Sequence, residues 1–179
     1  MKENNNKKQD SKEEKWHFST RDIILTSIFT LAFIGQFILL FIYNNELNLK
    51  YLEYTGYGLW GISILFAVLP MIILKRKGKA PKGKSYIHTQ KIVTTGLYAI
   101  VRHPQYLAGI ILTISITCIT QSWISLILTL LIIVLTYQWT YSEDKSLIQK
   151  FGKEYEDYIA KVPRLNPILG IIYYFIKKD

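Results

Sequence analysis

One cysteine and three histidines in 179 residues leave little material for redox or metal chemistry. Cys118 has no partner for an internal disulfide and sits inside an apolar run, where its expected role is that of a small filler. His17, His88 and His103 are dispersed, without paired spacing or cysteine neighbours, so no metal site is expected. No P-loop signature occurs. The stretch TGYGLWG formally matches the glycine pattern of dinucleotide sites at Gly56, Gly58 and Gly61. That reading requires a preceding strand and an acidic residue about 20 positions on, and neither is present. The glycines open an apolar run instead, where small residues allow helices to approach closely.

Charge is missing from four long stretches. Residues 23–43, 55–74, 104–120 and 123–142 contain no Asp, Glu, Lys or Arg. A helix of about 20 residues, rising roughly 1.5 Å each, crosses a hydrocarbon core about 30 Å thick. The expectation is therefore an all-α, polytopic membrane bundle of four transmembrane helices within residues 21–179. The first run is not expected to be a cleavable signal, because it follows a polar leader, is too long for an h-region and lacks a small-residue cleavage site. The leader, residues 1–20, is rich in Asn, Lys and Glu and is expected to be disordered. Beyond the fourth run, Leu147, Ile148, Phe151, Tyr155, Ile159 and Val162 recur at three- and four-residue spacing. This predicts an amphipathic interfacial helix over 145–162, ended by Pro163. Residues 168–176 are apolar but too few to span, so they lie against the bilayer or fold over the bundle.

The net charge of +9 raises the question of nucleic acid, and its distribution answers it. Lys and Arg number six before the first run, one between the first and second, eight between the second and third, none between the third and fourth, and seven after the fourth. Alternate sides of a membrane thus receive 21 and one, which places both termini and the 75–103 loop in the cytoplasm. The excess is a topology signal, and no nucleic-acid partner is expected. Within that loop KRKGKAPKGK, residues 75–84, has no acid. It reads first as an anchor to anionic lipid, each cation contributing about 1 kcal/mol, and second as a flexible entrance for an anionic substrate.

The densest polar cluster lies at the start of the third run, in GLYAIVRHPQYLAG, residues 96–109. Gly96 allows a tight turn, and LYAIVR suits one or two helical turns along the membrane surface. His103 is pushed out of the α region by Pro104, which in turn suits the first helical position. The helix start presents unpaired N–H groups and partial positive charge, attractive to a carboxylate or phosphate. A hairpin turning at Gln121 and Ser122 brings Arg102, His103 and Tyr106 level with Tyr141, Glu143 and Asp144. Taken singly, Arg102 reads as a snorkelling anchor and Tyr98, Tyr106, Tyr137 and Tyr141 as an aromatic belt. Together they form a site with cationic and anionic poles, suited to a zwitterion.

Residues 88–109, HTQKIVTTGLYAIVRHPQYLAG, together with residues 143–163, EDKSLIQKFGKEYEDYIAKVP, resemble the isoprenylcysteine carboxyl methyltransferase family of integral-membrane enzymes. The resemblance implies methyl transfer from S-adenosylmethionine, bound at the cytoplasmic face without a Rossmann domain. It implies that Tyr98, His103, Pro104 and Tyr106 line the cofactor pocket with Glu143 and Asp144 opposite, and that His103, Arg102 and Glu143 serve the reaction. The implied acceptor is amphipathic or lipid-anchored and enters from the bilayer, with a phospholipid N-methyltransferase or a non-catalytic lipid-binding or assembly protein as the alternatives. Two departures accompany it. The acidic pair is Glu143-Asp144 where the family usually has two glutamates. Residues 136–142, TYQWTYS, carry no arginine, whereas members that methylate prenylated cysteine have arginines just before the pair. The acceptor group therefore stays open among carboxylate, thiol and amine.

Overall fold

The computed structural model describes residues 20–42, 45, 47–79 and 89–176, and all regular structure among them is helical. Residues 1–19 of the leader, residues 80–84 of the basic stretch, His17 and His88 lie outside the described residues. Six α-helices follow in order: α1 Thr20–Ile42, α2 Lys50–Lys77, α3 Pro104–Thr120, α4 Trp123–Phe151, α5 Lys153–Ile159 and α6 Pro167–Ile176. A short 3-10 turn, Gly96–Ala99, precedes α3. By length and composition α1, α2 and α4 can cross a membrane. The 17 residues of α3 fall at the lower limit of a span, roughly 17 to 25 residues. It is also the most enclosed of the apolar helices, packed along α2 and against α4 and α1.

Polar residues hold these helices in register. Ser115 Oγ donates to the Gly56 carbonyl (2.8 Å) and Ser63 Oγ to that of Ala108 (2.9 Å), tying α2 to α3 twice. A β-carbon on Gly56 would stand 2.9 Å from the Ser115 carbonyl oxygen, whereas one on Gly58 or Gly61 would meet nothing. Of the three glycines in TGYGLWG, only Gly56 is needed for close approach. On the other side, the fully buried Gln36 of α1 points Nε2 at Thr129 Oγ1 (2.6 Å) and the Ser125 carbonyl (3.0 Å) of α4.

Helix α3 turns into α4 as the sequence implies: Gln121 takes the left-handed conformation (φ 49°) and caps α3 by donating to the Thr117 carbonyl. Two boundaries differ. Helix α2 starts at Lys50, inside what reads as an exterior connection, because KYLEY contains no helix breaker. Helix α4 continues through the acidic pair to Phe151, so residues 145–162 do not form one separate helix. Gly152, at φ 58°, makes the break and α5 begins anew. At 29 residues α4 is about 43 Å long, so its last third projects past a hydrocarbon core of about 30 Å. Tyr155, Tyr158 and Val162 then bury together against Leu147, Ile148, Phe151 and Ile92, closing the C-terminal segment over the start of α3.

Candidate active site

The path into α3 is built by backbone constraint. Gly96 has φ 67°, and the 3-10 turn that follows leads through the fully buried Val101 to Arg102 and His103. His103 sits at φ −118°, ψ 65°, outside the helix, and Pro104 occupies the first helical turn. This helix start is not bare. The chain after α5 runs alongside it, and the N–H groups of Arg102 and His103 donate to the carbonyls of Pro163 (3.0 Å) and Arg164 (3.2 Å). Among the described residues no side chain caps the first turn of α3, so its partial positive charge faces the cleft.

The hairpin brings the two motifs into contact. His103 Nε2 lies 2.8 Å from Asp144 Oδ1, and its Nδ1 lies 3.9 Å from Glu143 Oε2. Asp144 is the hub. Its Oδ1 also accepts from Tyr155 Oη (2.8 Å), while Oδ2 accepts from Arg164 Nε (2.8 Å) and faces Arg102 Nη1 at 3.5 Å. Burial by itself raises the pKa of Asp144. The hydrogen bonds from His103 and Tyr155 and the charges of His103 and Arg102 outweigh burial, and the carboxyl is held at about 2. Tyr155 is pushed the other way, first by burial and then by its bond to Asp144, so its hydroxyl stays protonated and donates. Tyr158 Oη donates to the Tyr98 carbonyl (2.6 Å), fastening α5 to the 3-10 turn.

A cleft of about 140 Å³ opens beside this network. Tyr98, Arg102, His103, Pro104, Tyr106 and Glu143 line it, all of them residues singled out from the sequence. Asp144 does not line it but stands behind His103. Arg102 is no snorkelling anchor: it is 8% exposed, and its Nε and Nη1 make no hydrogen bond to the described residues. Glu143, with 42% of its side chain exposed, carries the opposite charge at the lip. Tyr137 and Tyr141 stand on the outer face of α4, away from the cleft. Tyr155, Tyr158 and Arg164 are the residues that sequence reasoning missed. The signal was available for the tyrosines, since a hydroxyl on the buried face of an amphipathic helix requires a partner.

The donor set suits a zwitterion: a buried guanidinium beside a helix N-terminus would take a carboxylate, and the exposed Glu143 carboxylate would take an ammonium or hydroxyl groups. The cleft is smaller than the roughly 300–1,000 Å³ of sites that enclose a whole drug-sized ligand, so the described residues would surround only part of such a molecule.

Fold and cleft define a membrane helix bundle with a polar site of both charge signs at one end. The profile of the phospholipid methyltransferase family matches residues 51–154, and the chain belongs to that family. Among curated proteins, the protein-S-isoprenylcysteine O-methyltransferase of Schizosaccharomyces pombe is 33% identical over 79 residues, covering 44% of this chain. The match covers 34% of that relative, so the chain spans about a third of its length. No solved structure matches the chain.

Proposed function

We propose that this chain is an integral-membrane methyltransferase that takes its methyl group from S-adenosylmethionine on the cytoplasmic side and delivers it to a lipid-like acceptor, a prenylated or otherwise amphipathic carboxylate. The observation that carries the reading is the pairing of His103 with Asp144 and Glu143 beside Arg102, at the mouth of a cleft lined by Tyr98, Pro104 and Tyr106. Family membership supports methyl transfer. The carboxylate follows from the name of the fission-yeast relative, which specifies O-methylation of isoprenylcysteine.

The bound cofactor supplies a methyl already activated as a sulfonium, so no covalent nucleophile on the protein is needed. Arg102 and the first turn of α3 hold negative charge on one side of the cleft, and Glu143 holds positive charge on the other. Pro104, Tyr98 and Tyr106 give the cleft apolar and aromatic walls that exclude water and limit the approach of the acceptor. Asp144 fixes the His103 ring through Nε2 and leaves Nδ1 facing Glu143. A carboxylate acceptor requires no proton removal. An amine or thiol would need a base, and His103 or Glu143 stands in place for that role.

Calorimetric titration of the cofactor into detergent-purified protein tests the site. Binding by the wild type and at least a tenfold loss on His103→Ala and on Glu143→Ala are expected. No binding, or equal binding by all three proteins, would remove the enzyme reading. Membranes incubated with methyl-labelled cofactor then test the acceptor. Base-labile label in a lipid-extractable product marks a methyl ester, and base-stable label on a headgroup marks phospholipid N-methylation instead.

A further inference from the structure

Arg102 and Arg164 reach the same carboxylate from two sides. Arg102 lines the cleft, and Arg164 does not. Arg164 comes in along the outer face of α4, where its guanidinium carbon sits 5.2 Å from the ring centre of Tyr137 and 5.3 Å from that of Tyr141. Both rings are half exposed, and they lie at the last turns of the uncharged part of α4. A second cation shares this patch: Lys145 Nζ lies 4.6 Å from the ring centre of Tyr141. Of the five donors of Arg164, only Nε is used, on Asp144 Oδ2, and its terminal nitrogens make no hydrogen bond to the described residues. The side chain is 19% exposed and clamped between the Asp144 carboxylate and the two rings.

Only Nε of Arg164 is spent on Asp144, so its terminal nitrogens keep their donors for another anion. We propose that Arg164, aided by Lys145, is the contact for the anionic group of the acceptor, receiving a carboxylate or phosphate carried on an amphipathic chain that rises along the Tyr137–Tyr141 face of α4. This rests on the methyltransferase reading for its purpose but not for its test. Asp144 separates Arg164 from the cleft, so the anion held there is an anchoring group of the acceptor and not the group that takes the methyl.

The test is a binding series in detergent micelles with three probes sharing one chain: N-acetyl-S-farnesylcysteine, its methyl ester, and farnesyl phosphate. The wild type is expected to prefer each anion over the uncharged ester by about tenfold or more. Arg164→Gln should bring that preference close to unity, Arg164→Lys should keep part of it, and Lys145→Gln should reduce it about two- to threefold. Cofactor affinity, measured on the same variants, should stay within about threefold, because His103, Tyr155 and Arg102 still hold Asp144. A purely structural Arg164 would lower thermal stability without changing the ratio of anion to ester affinity, and that result overturns the proposal. So does an anion preference that survives in Arg164→Gln. Preference for the phosphate alone would keep the proposal and name a phosphorylated acceptor. Arg164-dependent anion binding without methylation of any probe would uphold it while removing O-methylation of prenylcysteine.

Discussion

At Asp144 one carboxylate accepts from His103, Tyr155 and Arg164, with Arg102 a little farther off. Its folded pKa of about 2 lies below the roughly 3.9 of an unfolded aspartate. The stabilisation it brings is therefore complete above about pH 4 and is lost as the pH falls from there toward 2. A shift of this size corresponds to about 2–3 kcal/mol. Asp144→Asn should lower the melting midpoint in detergent by roughly 4–10 °C at pH 7, and the gap should narrow as the wild type is acidified below pH 4. Equal midpoints at pH 7 would show that the network does not hold the fold. Arg102, His103, Tyr106 and Glu143 were legible in the sequence because a turn glycine, a proline and a charge cluster at the end of an apolar run announce a site locally. Arg164 was not legible, since it reaches the site only through the path the chain takes after α5. Tyr155 was counted as part of an apolar face with its hydroxyl overlooked, and Tyr158 was not singled out.

Among the elements, the short C-terminal helix is the most sensitive to a single methyl. A β-carbon on Gly170 of α6 would collide with the carbonyl oxygen of Ile100, in the turn that leads to Arg102. Gly170→Ala must push α6 off that turn and loosen the pairing of residues 163 and 164 with Arg102 and His103, at a cost of about 1–3 kcal/mol. Gly58→Ala, where the added carbon meets nothing, removes a glycine from a helix and should be neutral or stabilise by up to about 1 kcal/mol. Thermal melts of the two variants should move apart, and a Gly170→Ala protein as stable as wild type would mean that α6 does not rest on residue 100. Gln36→Leu should cost about 0.6–1.7 kcal/mol, the range of hydrogen bonds between membrane helices, by releasing α1 from Ser125 and Thr129. The four apolar runs were readable because the absence of charge over about 20 residues has one common physical cause. The ends of α2 and α4 were not, because charged residues such as Lys50, Glu143 and Lys145 are good helix formers and hydropathy stops before the helix does. Only Gly152 breaks α4, and a glycine inside a charged stretch carries no hydropathic signal.

For the whole molecule, the proposed sidedness rests on charge. Twenty-one of the 22 basic residues fall on one side of the four-run pattern and Lys50 alone on the other. The site lies where α3 begins and the uncharged part of α4 ends, on the side that holds the 21. By the positive-inside rule we propose that this side faces the cytosol, where a soluble cofactor would be met directly and an acceptor anchored in the inner leaflet would arrive beside α4. Because Cys118 is the single cysteine, a background of Cys118→Ser permits single-site labelling. In intact cells a membrane-impermeant maleimide should label Tyr51→Cys, at the largely exposed start of α2, and should reach Lys153→Cys at the start of α5 only after permeabilisation. Labelling in the opposite order would place the cleft outside the cell. The charge argument would then fail, and the site would lose its supply of cytosolic cofactor even if every residue in it were arranged as described.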